Sequence, residues 1–121
     1  MKSRKETGAI GESIACAYLE SKGFIIKHRN LYIGHLETDI ICEDDKHIVF
    51  AEVKTRREGA SSRYDSARDA VNAQKLLKLK ESVYMYMRLY GAKKTPRIDV
   101  IEVYIRNGKV PLVNHIKYIL G

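Results

Sequence analysis

Between residues 5 and 22, apolar side chains fall at Ile10, Ile14, Ala17 and Tyr18, and Ser21 continues the row. That i, i+4, i+7, i+8 recurrence is the period of one helix face and predicts a helix from about Lys5 to Lys22. Thr7 is the candidate N-cap, because its hydroxyl could accept from a backbone N–H left unpaired at the helix start. Gly23 suits the exit, since glycine takes the left-handed conformation without a Cβ penalty. The period then changes. "FIIKHR" (24–29) reads as a strand and "RNLYIGHLE" (29–37) as a connection. "TDIICE" (38–43) and "HIVFAEVKT" (47–55) read as the second and third strands, made antiparallel by a turn at Asp44 and Asp45. "RREGASSRYDS" (56–66) has no apolar period and reads as a loop.

A second helix is predicted over about Ser66 to Tyr90, with Leu76, Leu79, Val83, Met87 and Tyr90 in one stripe and Gly91 at its end. Such a stripe marks core rather than a cofactor site. "RIDVIEVYI" (97–105) alternates as a strand, placing Ile98, Val100, Glu102 and Tyr104 on one face. "RNGK" (106–109) signals a hairpin, because Asn-Gly suits a type I′ turn. "VPLVNHIKYIL" (110–120) closes the chain as a strand, and Pro111, which cannot donate to a ladder, puts it at a sheet edge. The order α-β-β-β-α-β-β describes a mixed sheet flanked by helices, an α/β or α+β layered architecture, of which α/β is the expected class. A chain of 121 residues suits one domain over 1–121.

One strand departs from a pure core pattern. In "VFAEVKTR" (49–56), Glu52 and Lys54 share a strand face with Ile48 and Phe50, because side chains alternate. The inner half of that face is apolar and the outer half charged, as in a strand that runs out of the core into a cleft. Asp39 lies on the preceding strand, and positions 39 and 52 are near-symmetric about the turn at 44–46. Two carboxylates and a lysine therefore converge. Such a pair offers hard oxygen ligands to Mg²⁺, which takes one or two carboxylates together with substrate phosphate. The ion would stabilise charge on a scissile phosphate and activate a water. Lys54 would position that water or steady the developing charge. The competing interpretation is an exposed Glu–Lys ion pair beside a solvated acid.

Charge and composition narrow the choice. The chain is 45% apolar and 31% charged, which calls for a real core and excludes global disorder. No apolar run approaches the ~20 residues of a membrane span. "MKSRKETGAIGES" lacks the apolar segment of a secretory signal, so a cytoplasmic location is expected. Cys16 and Cys42 lie within apolar segments, too far apart for a zinc knuckle, and read as small buried hydrophobes. His28, His35, His47 and His115 are scattered and read as surface or strand-end residues. The net charge of +7 favours an anionic partner, nucleic acid above all. Arg56, Arg57 and Arg63 follow the third strand, and Arg68, Lys75 and Lys78 recur on one side of the second helix. Together they could track a phosphate backbone; the alternative is a solvated helix face.

These pieces resemble a known family. Asp39, followed by Glu52-Val53-Lys54, resembles the D…(D/E)xK signature of restriction-endonuclease-like nucleases. More closely, "GAIGESIACAYLESKGF" (8–24), "RN" (29–30), "ETDII" (37–41), "VFAEVKTR" and "RIDVIEV" (97–103) stand in the order of the YraN-like family of small bacterial proteins and cover nearly the full length. The resemblance implies a restriction-endonuclease-like fold, similar to that of archaeal Holliday-junction resolvases. It implies that Asp39 and Glu52 bind Mg²⁺ or Mn²⁺, that Glu12 is a further acid at the metal, and that Lys54 is the catalytic lysine. Gln74 and Lys75 would be polar residues of the second helix facing the metal. Leu36 and Thr38 depart from the glycine and isoleucine of the family's Gly-Glu-Ile-Asp, though Glu37 and Asp39 survive. The loop at 57–64 is also richer in charge than the family's.

The implied activity is metal-dependent hydrolysis of phosphodiester bonds in DNA, structured or branched DNA included. Cutting a duplex needs two active sites, hence a homodimer. A nucleic-acid-binding module with a vestigial site, and an adaptor that binds protein through a sheet edge, are the competing functions.

Overall fold

The computed structural model describes residues 3–58 and 73–117. Helix α1 (Arg4–Ser21) starts one turn before the expected cap. Ser3 is the N-cap: its hydroxyl accepts from the Glu6 N–H at 3.1 Å, and the Glu6 carboxylate accepts from the Ser3 N–H at 3.4 Å. This reciprocal box satisfies two donors at once, whereas Thr7 lies inside the first turns. At the other end Gly23 has φ +93°, as expected of a residue leaving the helix.

Strands β1 (Ile25–Ile33), β2 (Leu36–Glu43), β3 (His47–Arg57), β4 (Thr95–Ile105) and β5 (Leu112–Ile116) form one sheet in the order β1-β2-β3-β4-β5. The β1/β2, β2/β3 and β4/β5 pairs are antiparallel, and β3/β4 is parallel. Helix α2 (Ala73–Tyr90) lies in the connection between the parallel strands. Described elements thus follow the expected α-β-β-β-α-β-β order; residues 66–72 of the predicted second helix lie outside the described residues.

Three local expectations are corrected. Residues 29–33 belong to β1, which absorbs a register shift between Ile26 and His28 and a left-handed Asn30 at φ +50°. Asparagine tolerates that conformation, so its polar break does not end the strand. Arg56 and Arg57 belong to β3, where pairing with Tyr104 and Ile105 extends the strand beyond its apolar part. The turn at 106–109 is not type I′: Gly108 has φ +66° but Asn107 does not share the positive φ which that turn requires. The Arg106 guanidinium instead holds the Val110 carbonyl, at 3.1 Å from Nε.

The sheet is covered on both faces. Ala15, Cys16 and Leu19 of α1 pack on Ile40, Cys42, Val49, Ala51, Ile101 and Val103. Leu79, Val83 and Tyr86 of α2 pack on Ile41, Ile48, Phe50 and Ile98. Strand β4 is therefore buried on both sides from Arg97 to Val103, rather than alternating between core and solvent. Leu76 and Met87 are half-buried as expected, but Tyr86, not the exposed Tyr90, fills the core position, with the two rings stacked 4.2 Å apart. Both cysteines are buried and free.

Candidate functional site

The β2/β3 ladder runs from Glu43/Ile48 to Ile40/Ala51 and ends there. Continuing the register by one residue sets Asp39 across from Glu52. Asp39 Oδ2 accepts the Val53 N–H at 2.8 Å, so a carboxylate replaces the backbone acceptor where the strands part. Beyond this point β3 stays paired with β4, from Glu52/Val100 through Lys54/Glu102 to Arg57/Ile105. The charged half of β3 thus lies beyond the end of the β2/β3 ladder, paired with β4 alone.

The electrostatics follow from that crowding. Burial, and then the charge of Glu52, push the Asp39 carboxyl up from 3.8 to about 7, against the Val53 hydrogen bond; Glu12 and Glu37 add to the rise. Desolvation and like charge both disfavour the ionised acid, while the backbone donor favours it. Glu52 is 12% exposed, and its Oε1 lies 2.6 Å from the ammonium of Lys75 on α2. Lys75 thus neutralises an acid of the proposed site, a closer role than that of a backbone-tracking cation. Lys54 is half-buried, and its register partner Glu102 is buried, with Oε1 accepting from Asn114 at 3.3 Å.

Glu12 approaches from α1. Gly11, beside it, is pressed so closely on the Thr55 side chain that a Cβ there would collide with it. Glu12 is half-buried, and its charge reaches Asp39. Among the described residues, no group of three or more His, Cys, Asp or Glu side chains stands close enough to enclose a metal ion. What the fold brings together is the Asp39–Glu52 pair with Lys75. Two hard carboxylates whose mutual repulsion a cation would relieve fit a Mg²⁺-like ion that keeps waters and shares a substrate phosphate.

Of the predicted nucleic-acid contacts, Arg56 and Arg57 are half-buried, and Arg57 Nη2 donates to Thr7 Oγ1 at 3.1 Å. Gln74 and Lys78 are exposed on α2. Lys78 borders a cleft of about 100 Å³ with Lys75, His35 and Glu37. Arg63 and Arg68 lie outside the described residues.

A second polar cluster lies where hydrophobic periodicity gives no sign of it. His115 is not a surface residue: its side chain is 5% exposed and lies 2.6 Å from the fully buried Asp99. The one sign in the sequence is "RIDVIEV", where Arg97 and Asp99 are two charged residues on one face of an apolar strand, at the same spacing as Glu52 and Lys54 in β3.

A family model described as "Uncharacterised protein family UPF0102" matches residues 11–103. A UPF0102 protein of Syntrophomonas wolfei is 39% identical, over 93% of this chain and 95% of the relative. One from Bacteroides thetaiotaomicron is 35% identical, over 97% and 93%. One from Caldanaerobacter subterraneus is 37% identical, over 94% and 93%. Among the described residues no helix is long and apolar enough to cross a membrane.

Proposed function

The chain belongs to the uncharacterised protein family UPF0102, and from the paired acids at its parting strands we propose that it is a metal-dependent nuclease hydrolysing phosphodiester bonds in DNA, structured or branched DNA included. The observation that carries this reading is Asp39 held next to Glu52, buried enough for its carboxyl to rise to about 7. Strongly perturbed acids in a cleft are a mark of functional sites. The five-stranded mixed sheet with a helix packed on each face supports a restriction-endonuclease-like fold.

Asp39 and Glu52 would hold Mg²⁺ or Mn²⁺, with Glu12 adding negative field from α1. The ion supplies charge stabilisation at the phosphate and lowers the pKa of water. Lys54, two residues outward from Glu52 on the same strand face, would steady the negative charge that develops as the phosphate is attacked. Lys75 pairs with Glu52 at 2.6 Å and would have to give way for Glu52 to bind the ion. Gln74 and Lys78, exposed on α2, and Arg56 on β3 would extend the basic approach, while Arg57 bonds Thr7 on the α1 side of the sheet. Cutting both strands of a duplex would require a homodimer.

A second reading, a binding module with a vestigial site, is favoured by the Lys75–Glu52 pair, in which the chain's own ammonium matches the Glu52 charge. The deciding experiment incubates labelled duplex, single-stranded, flap and four-way-junction DNA with Mg²⁺ or Mn²⁺, beside Glu52→Ala. Metal-dependent cutting that Glu52→Ala abolishes is the expected result. No cutting by the wild-type chain, with salt-dependent DNA binding intact, would replace the nuclease by the binding module. Absence of salt-dependent binding as well would leave the protein adaptor.

A further inference from the structure

On the α1 face of the sheet, away from the Asp39–Glu52 cleft, four polar side chains are linked in series. Arg97 Nε and Nη2 donate to Asp99 Oδ1 and Oδ2, both at 2.8 Å. His115 Nε2 lies 2.6 Å from Asp99 Oδ2, and His115 Nδ1 lies 3.0 Å from the Tyr18 hydroxyl. Three elements supply them: β4, β5 and α1. Burial pushes the Asp99 carboxyl up, but the hydrogen bonds from His115 and Arg97 outweigh it and hold the group below its ordinary value. Asp99 is thus an anion, which directs the His115 Nε2–H inward. In the neutral tautomer Nδ1 then accepts from Tyr18, whose proton is retained because burial and the Asp99 charge push its pKa up.

This series ends at an open pocket of about 450 Å³, with Tyr18, Lys22, Phe24, Arg97, His115 and Lys117 in its wall. The volume lies within the ~300–1,000 Å³ of small-ligand sites. Its lining sets Lys22, Arg97 and Lys117 against Asp44, with His47 beside them. Lys22, Arg97 and Lys117 are fixed cations. The acid at the rim, Asp44, is already engaged by the Lys46 and His47 N–H groups at 2.9 and 2.7 Å. Asp99 lies behind the wall, matched by Arg97 and His115. No acid among the described residues pairs with Lys22 or Lys117. The Arg97 guanidinium is buried and held by both Asp99 oxygens. The Phe24 and Tyr18 rings give the same pocket an apolar side. Arg97 lies 5.6 Å from the Phe24 ring centroid, and Lys22 lies 5.7 Å from that of Tyr18.

We propose that this pocket binds a phosphate monoester, carried either by a free nucleotide or by the 5′ end of a nucleic-acid strand. Lys22 and Lys117 together suit a group that carries about −1.5 to −2 charges at neutral pH better than a singly charged carboxylate, the charge of Arg97 being already matched by Asp99. The rings suit the sugar or base attached to it. The proposal stands apart from the nuclease reading: the pocket uses none of Asp39, Glu52, Lys54 or Lys75, and lies on the opposite face of the sheet.

The test is a titration of the isotopically labelled full chain, followed by NMR at constant ionic strength. The probes are inorganic phosphate, adenosine 5′-monophosphate, adenosine, and a dinucleotide with and without a 5′-phosphate. Saturable shifts of the His115 ring and of the Lys117 amide are expected with every phosphate monoester and with neither adenosine nor the unphosphorylated dinucleotide. Lys22→Gln with Lys117→Gln, both at exposed positions, should weaken the effect by about tenfold or more while leaving the unfolding transition in place. Equal affinity for the mononucleotide and the phosphorylated dinucleotide makes the monoester itself the ligand; preference for the dinucleotide makes it a strand end. The proposal is overturned by shifts that never saturate, by shifts that chloride reproduces, or by binding that survives the double substitution.

Discussion

Lys75 Nζ lies 2.6 Å from Glu52 Oε1, so a cation on α2 neutralises the acid that β3 carries beyond the end of its ladder with β2. A divalent ion bound at Asp39 and Glu52 would compete with that ammonium. Lys75→Met should therefore tighten metal binding. Because Lys75 is 43% exposed and water screens the pair, the gain should be about fivefold, or roughly 1 kcal/mol. Calorimetric titration of wild type and variant with Mn²⁺ measures it. Weaker binding by the variant would instead make Lys75 a support that orients Glu52 for the metal.

Asp39 predicts a pH dependence with a definite sign. Its carboxyl rises from 3.8 to about 7 on folding, so between those values the folded chain keeps a proton that the unfolded chain releases. Stability from this group is complete below pH about 4, declines as pH rises, and is gone above about 7. Asp39→Asn removes this slope and should be more stable than wild type at pH 8 by roughly 2 kcal/mol. Mg²⁺ should recover part of that difference in the wild type at pH 8 and have little effect at pH 5, where the ligand is protonated. Thermal unfolding at both pH values, with and without the ion, checks all of these outcomes.

The convergence of Asp39 and Glu52 was legible in the sequence because a hairpin converts sequence distance into spatial register: once the turn lies at 44–46, position 39 falls opposite 52. The Lys75–Glu52 pair was not, since it depends on how α2 crosses the sheet, which periodicity within the helix does not encode. Asn30 looked like a strand end because polar, turn-prone residues mark ends far more often than left-handed kinks within a strand. The Arg97–Asp99–His115–Tyr18 series was hidden for a further reason. Its Tyr18–His115 contact spans 97 residues, and alternation along one strand says nothing about which side chain arrives from another element.

The cap of α1 gives a local test. Ser3 accepts from the Glu6 N–H while Glu6 accepts from the Ser3 N–H. Ser3→Ala should cost about 1 kcal/mol, typical of a lost N-cap. Amide exchange should quicken in the first turn of α1 and stay unchanged in α2. Equal loss across both helices would show that Ser3 supports more than the helix it begins.

Gly11 predicts how the first helix places Glu12. The Thr55 side chain occupies the space into which a Cβ at residue 11 would project, so Gly11→Ala must push α1 away from β3. Inserting carbon into such a contact should cost about 1–3 kcal/mol, visible as a lower midpoint in urea. The same displacement carries Glu12 away from Asp39 and weakens one of the charges that raise its carboxyl. The Asp39 titration, followed by the carboxyl carbon shift, should then move towards lower pH in Gly11→Ala. A variant destabilised by that amount, with an unchanged Asp39 titration, would show that α1 yields at its N-terminal end without moving Glu12.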